Sequence, residues 1–217
     1  MRSARKLPII AAGALWLALT GIAGQASAQG DLSQQAETLR DEGRYPEVIA
    51  LLKRQIATLQ GQGQLETPMG ATLLNNLGEM HYKLGRYAEA VPLYERSLAI
   101  SNAQMPGLNP VSAVTYRNLG IVYQLTGRPA DAFNAYSASI AVFQQIPNSA
   151  VQLASSMNNL ATLLQDYKRF PEAERVLMQV LAIYQQSFGP SHQYVATAYN
   201  NLGKLYEKGG DLNRAEF

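Results

Sequence analysis

The 217-residue chain contains no cysteine, which excludes disulfides, thiolate metal ligation and a cysteine-linked lipid anchor. It has only two histidines, His81 and His192, far apart in sequence and without metal-ligand spacing around them. There is no phosphate-binding glycine loop and no nucleophile elbow; Gly61-Gln62-Gly63 reads as linker. These absences leave catalysis, a metal site and a cofactor without candidate residues. The chain also lacks a charge excess once its start is set aside. Residues 1–28 hold three of the 18 basic residues and none of the 16 acidic ones, leaving the remainder at a net −1. No positive field remains to attract nucleic acid or an anionic membrane surface.

Only one long apolar run is present. Arg2, Arg5 and Lys6 precede an uncharged stretch from Leu7 to Ala23, followed by Ala26-Ser27-Ala28-Gln29. A basic start, an apolar middle and small residues before a cleavage point describe a secretory signal peptide. The expected cut follows Ala28, with secretion across an inner membrane into the periplasm and no stable membrane insertion afterwards. An uncleaved anchor needs about 18 or more apolar residues. The run falls short of that and contains Pro8.

The remainder, residues 29–217, is periodic. Gly43-Arg44-Tyr45, Gly85-Arg86-Tyr87, Gly127-Arg128-Pro129, Lys168-Arg169-Phe170 and Gly210-Asp211-Leu212 follow one another at intervals of 42, 42, 41 and 42. Asn76-Leu77-Gly78, Asn118-Leu119-Gly120, Asn159-Leu160-Ala161 and Asn201-Leu202-Gly203 run in step. A fixed period of this size marks stacked units, none of which can bury its apolar face alone. The copies are placed at about 31–62, 71–112, 113–153 and 154–195, with a partial copy at 196–217.

Within copy two, Leu73, Leu74, Leu77, Met80, His81 and Leu84 recur at helical spacing, and Gly85 stands where that helix should end. A second helix follows, with Ala90, Leu93, Tyr94, Ser97 and Leu98 as its buried stripe. Pro46 and Pro171 stand near the start of the equivalent helix in copies one and four, where the first-turn amides lack intrahelical partners. The unit is therefore an antiparallel helical hairpin. Small residues mark the crossing: Gly78, Gly120, Ala161 and Gly203 on the first helix, and Ala90, Ala132, Ala173 and Ala215 on the second. Tyr94 or Tyr136 is expected to fill the space one turn later.

Asn75-Asn76-Leu77-Gly78, Tyr87-Ala88-Glu89-Ala90, Leu93 to Ile100 and Gly189-Pro190-Ser191-His192 together resemble the tetratricopeptide repeat in its long, kinesin light chain form. The resemblance covers Gln34 to Phe217 and implies an all-α, right-handed solenoid of antiparallel hairpins. It implies a protein or peptide partner bound along a concave groove lined by the first helices. The position is then occupied in turn by Asn76, Asn118, Asn159 and Asn201, whose carboxamides can bond both backbone groups of an extended peptide. The alternative is that these amides bond the neighbouring repeat or cap local backbone. Lys83, Arg117 and Lys204 flank the ladder and could draw an acidic stretch of ligand. A carboxylate clamp is not supported, because Thr72, Val114, Ser155 and Thr197 stand where basic residues would be needed. His81 is expected in the core, and His192 in an inter-repeat turn.

Copy one departs from the pattern, with Gln35-Ala36 for Leu-Gly and Val48 for Ala, as terminal repeats do. Residues 60–70 read as a loop. Copy five reaches only Phe217, so the array is read either as ending on a helix that could mediate homo-oligomer contact or as preceding an effector domain such as a caspase-like peptidase.

Overall fold

A computed structural model describes residues 26–104, 107 and 109–211, with side chains from residue 34 onward. Residues 1–25, which hold most of the expected signal peptide, and residues 212–217, where the fifth copy's second helix is expected to begin, lie outside the described residues. Among the described residues there are nine α-helices and no strand. In chain order they are α1 (Ala26–Asp41), α2 (Tyr45–Gly61), α3 (Pro68–Lys83), α4 (Tyr87–Gln104), α5 (Pro110–Leu125), α6 (Pro129–Phe143), α7 (Ala150–Asp166), α8 (Phe170–Phe188) and α9 (Gln193–Gly209). None is long and apolar enough to cross a membrane.

The repeated Gly-Arg phrase has a backbone cause. In copy two the amide of Gly85 bonds the Tyr82 carbonyl and that of Arg86 bonds the His81 carbonyl, each at 2.9 Å. This pair of bonds satisfies orphan carbonyls of the first helix and needs a left-handed residue, here Gly85 at φ 72°. The same pair recurs at the other hairpin turns, ending on Arg44, Arg128, Arg169 and Asp211. Lys168 takes the left-handed place in copy four at φ 58° despite its side chain. The turns between hairpins add a side-chain cap on the helix that follows: Thr67, Asn109 and His192 each accept a bond from the opening turn of α3, α5 or α9. The α2–α3 turn also carries the backbone pair, at Gly63 and Gln64. Pro68 and Pro110 then start their helices where no amide is missed.

Helices α3, α5 and α7 each pack against their own second helix and against the second helix of the preceding hairpin, while α1 packs on α2 and α9 on α8. The expected stripe is buried at Leu73, Leu74, Leu77, Met80 and His81, with Leu84 half-buried. At the crossing, a methyl carbon placed on Gly78 would stand 2.8 Å from the Tyr94 ring, and one on Gly120 would stand 2.5 Å from that of Tyr136. Both tyrosines are fully buried. The small residues are thus sockets for rings. The 60–70 segment is more ordered than a loop reading expects. Helix α2 runs to Gly61 and α3 starts at Pro68; position 70, inside α3, is glycine because a side chain there would collide with the Leu65 backbone.

Candidate functional site

Helix α3 meets α5 directly and α5 meets α7, while α4, α6 and α8 do not approach one another comparably. First helices crowd and second helices splay, so the wall built by the first helices is the inner one. Asn76, Asn118, Asn159 and Asn201 all lie on these helices, but they differ in access. Asn76 is buried, and the other three are half-buried.

The neighbouring asparagines explain part of the pattern. Asn75 Oδ1 accepts bonds from Asn118 Nδ2 at 3.2 Å and Thr115 Oγ1 at 3.1 Å, and Asn75 Nδ2 donates to Asn76 Oδ1 at 3.2 Å. Asn158 Oδ1 accepts from Asn201 Nδ2 at 3.0 Å in the same manner. The first asparagine of a pair therefore ties its hairpin to the second asparagine of the next. Asn118 and Asn201 each commit the amide nitrogen to this tie. Copy three has Arg117 where copies two, four and five have Asn75, Asn158 and Asn200, so Asn159 finds no such acceptor. Asn159 makes no side-chain hydrogen bond among the described residues.

The basic residues also separate. Lys204 is exposed and Lys83 half-buried, but Arg117 is only 6% exposed. Arg117 makes no ion pair among the described residues, and burial pulls its pKa below the usual arginine value while the Glu79 carboxylate opposes that shift. An arginine held this way forms the floor of the wall rather than a surface cation. Beside it, the Tyr94 hydroxyl is buried without a hydrogen bond, and burial raises its pKa well above the usual phenol value. Further along, Asp166 accepts from Gln124 at 2.9 Å and lies 4.0 Å from Lys208, which neutralises that end of the wall.

A second polar line was not anticipated. Ser97 Oγ donates to the Ala71 carbonyl at 2.7 Å and lies 3.4 Å from Thr115 Oγ1. One period later Ser139 Oγ donates to the Ala113 carbonyl at 2.7 Å and lies 2.8 Å from Ser156 Oγ. Four helices' hydroxyls thus stitch hairpin two to three and three to four inside the core. Their spacing carried the signal, since Ser97 and Ser139 repeat at 42 and Thr115 and Ser156 at 41.

Neither histidine is arranged for catalysis. His81 is buried with Nδ1 unpaired, and desolvation, aided by the charge of Lys53, lowers its pKa. His192 Nδ1 accepts from the Tyr194 amide at 3.2 Å, and its ring stacks on Phe188 at 4.8 Å. Among the described residues no cluster of three histidine, aspartate or glutamate side chains could hold a metal ion.

The family model for the tetratricopeptide repeat matches residues 26–103, 69–145 and 152–217. No curated protein matches the chain significantly in sequence. Among solved structures, one described as kinesin light chain TPR-like repeats from Podosopora anserina is similar at 21% identity and a TM-score of 0.73, over 86% of this chain and 89% of that one. BtubC (BKLC) from P. vanneervenii is similar at 24% identity and a TM-score of 0.65, over 79% of this chain and 69% of that one. MamA protein is similar at 18% identity and a TM-score of 0.57, over 85% and 84%. At these identities the likeness is one of fold: a right-handed solenoid of helical hairpins. With the family model covering most of its length, the chain belongs to the tetratricopeptide repeat family.

Proposed function

We propose that this protein is an exported scaffold that holds an extended segment of a partner protein along the wall formed by α3, α5, α7 and α9. Arrays of this family serve as protein–protein interaction scaffolds, and no catalytic step is assigned to this one. The observation that carries the groove reading is the unequal use of the asparagine amides. Asn118 and Asn201 spend their nitrogens on the preceding hairpin, and their carbonyl oxygens accept no hydrogen bond among the described residues. Asn159, in the middle of the row, is half-buried and keeps both donor and acceptor unused among the described residues. Such amides suit a peptide backbone, which offers alternating N–H and C=O groups regardless of side chain. Lys83 and Lys204 stand at the two ends of the row, while the buried Arg117 contributes to its floor.

Peptides selected from a random library against the chain provide the test. Asn159→Ala should weaken them by about 1 kcal/mol, roughly fivefold, with unchanged helical circular dichroism. Asn200→Ala, an exposed amide outside the row, should leave affinity as it was. Equal affinity for Asn159→Ala and the parent chain would sink the groove assignment. Protein recovered from its native envelope should begin at Gln29; a retained Met1 would remove the export part of the proposal.

A further inference from the structure

A cavity of about 330 Å³ opens between the start of α6 and the end of α7, at the small end of the usual range for ligand pockets. Pro129, Phe133, Leu163, Leu164, Tyr167 and Arg169 line it. It lies at the hairpin-turn edge of the solenoid, away from the asparagine row. Its origin can be read from the repeat itself. The residue that opens each second helix is Tyr45, Tyr87 and Phe170 in copies one, two and four, but Pro129 in copy three. The three aromatic side chains are all packed against the core. In copy four the Phe170 ring lies 3.8 Å from a methyl carbon built on Gly209, on the following first helix. The residue equivalent to Gly209 one period earlier is Tyr167, a wall of the cavity. The cavity is therefore the seat of a ring that copy three does not supply.

We infer that this seat binds a neutral aromatic side chain, tyrosine or phenylalanine, presented by a protein partner. The charges at the rim point the same way. Arg128 bonds Asp131 at 2.7 Å, and Arg169 bonds Glu172 through both ends of its guanidinium at 2.6 Å. Each arginine thus carries its own carboxylate, so the mouth offers no uncompensated guanidinium to an anion. Arg169 instead lays its flat group toward the Phe133 ring, 5.6 Å from its centroid, and so walls the cavity with a π-compatible surface. Tyr167 is 55% exposed, so its own ring does not occupy the space and is placed to pack on an incoming one.

The probe pair N-acetyl-L-tyrosinamide and N-acetyl-L-leucinamide tests both the site and its chemistry, with the full chain labelled at leucine methyls. The tyrosine amide should shift the Leu163 and Leu164 methyl resonances saturably at about millimolar concentration, and the leucine amide should not. Pro129→Phe should fill the seat from within, abolish those shifts and raise Tm by a few degrees. Tyr167→Ala, which removes an exposed wall without touching the core, should weaken the tyrosine amide at least threefold at unchanged Tm. Equal response to the two amides would overturn the aromatic assignment. Shifts that persist in Pro129→Phe would overturn the location. A Pro129→Phe that gains stability while the parent chain ignores both probes would reduce the cavity to a packing defect.

Discussion

The two inner hairpins and the two that flank them solve the same crossing with exchanged volumes. In hairpins two and three a glycine meets a tyrosine, Gly78 with Tyr94 and Gly120 with Tyr136. In hairpins one and four the equivalent residues are Ala36 with Leu52 and Ala161 with Leu177, all at most 1% exposed. The methyl added on one helix is taken from the bulk of the other. A second exchange accompanies the first. The inner pair carries the buried hydroxyls Ser97 and Ser139, whereas the flanking positions hold Gln55 and Val180. Opposite Val180 stands Ala198, where the inner junctions have Thr115 and Ser156. The junction between hairpins four and five is therefore wholly apolar at a place where its neighbours are hydrogen-bonded. Similar hairpins are thus held by different local terms, and a repeat period alone does not reveal which term acts where.

The largest effects should come from breaking the ring-and-socket pairs. Tyr136→Ala empties a fully buried site and leaves Gln124 without the hydroxyl that donates to it at 3.0 Å. A loss of about 3–5 kcal/mol in urea denaturation is expected. Gly120→Ala forces a methyl into the Tyr136 ring and should cost about 1–3 kcal/mol. Combined with Tyr136→Leu, however, it recreates the pairing already used by Ala161 and Leu177, so the double variant should be more stable than the sum of the singles allows. Simple additivity would show that the two solutions are not interchangeable and would remove the comparison's premise.

The hydroxyl stitch comes next in size. Ser139→Ala strips the Ala113 carbonyl of its side-chain donor and Ser156 of its neighbour, for a loss of about 1 kcal/mol. Ser139→Val with Ser156→Ala converts this junction into the type found between hairpins four and five. Replacing both polar partners by apolar groups that fit should bring stability back toward the parent value. A double variant weaker than Ser139→Ala would mean the hydroxyls do more than satisfy one another.

Much of this architecture is legible in the sequence because its causes are local. Gly85 and its counterparts mark hairpin turns since a left-handed residue is needed there, and the Gly78 and Gly120 positions mark crossings since a ring fills the space a Cβ would take. The asparagine row was harder to read. Asn75 and Asn76 are adjacent in sequence, and only the packing of α3 on α5 decides that Asn75 serves Asn118 while Asn159 faces an arginine position. Arg117 reads as a surface cation from its residue type, yet the approach of α3, α5 and α7 encloses it. The cavity at Pro129 is hidden in the sequence for another reason: a proline at a helix start has a sufficient local explanation, which masks the ring that is missing there.

The smallest expected effect separates the first junction from the later ones through pH. His81 holds the place of Tyr123 and Tyr206, whose hydroxyls donate to Glu95 at 3.2 Å and Glu174 at 2.8 Å. At the first junction the residue equivalent to Glu95 is Lys53, so His81 meets a cation from α2 where the tyrosines meet carboxylates. Arg86, in the turn before α4, adds to that repulsion and Glu89 of α4 opposes it, but desolvation is the leading cause of the lowered pKa. The unfolded chain therefore binds a proton near pH 6.5 that the folded one refuses. This contribution is fully present above that value and is lost progressively as pH falls toward the folded pKa. Tm should decline between pH 7.5 and pH 5 by more in the parent chain than in His81→Leu, the residue type copy four uses at Leu164. His81→Leu also removes the unpaired Nδ1, so it should not lower Tm at pH 7.5. Parallel pH profiles for the two proteins would show that the first junction admits the imidazolium as readily as water does.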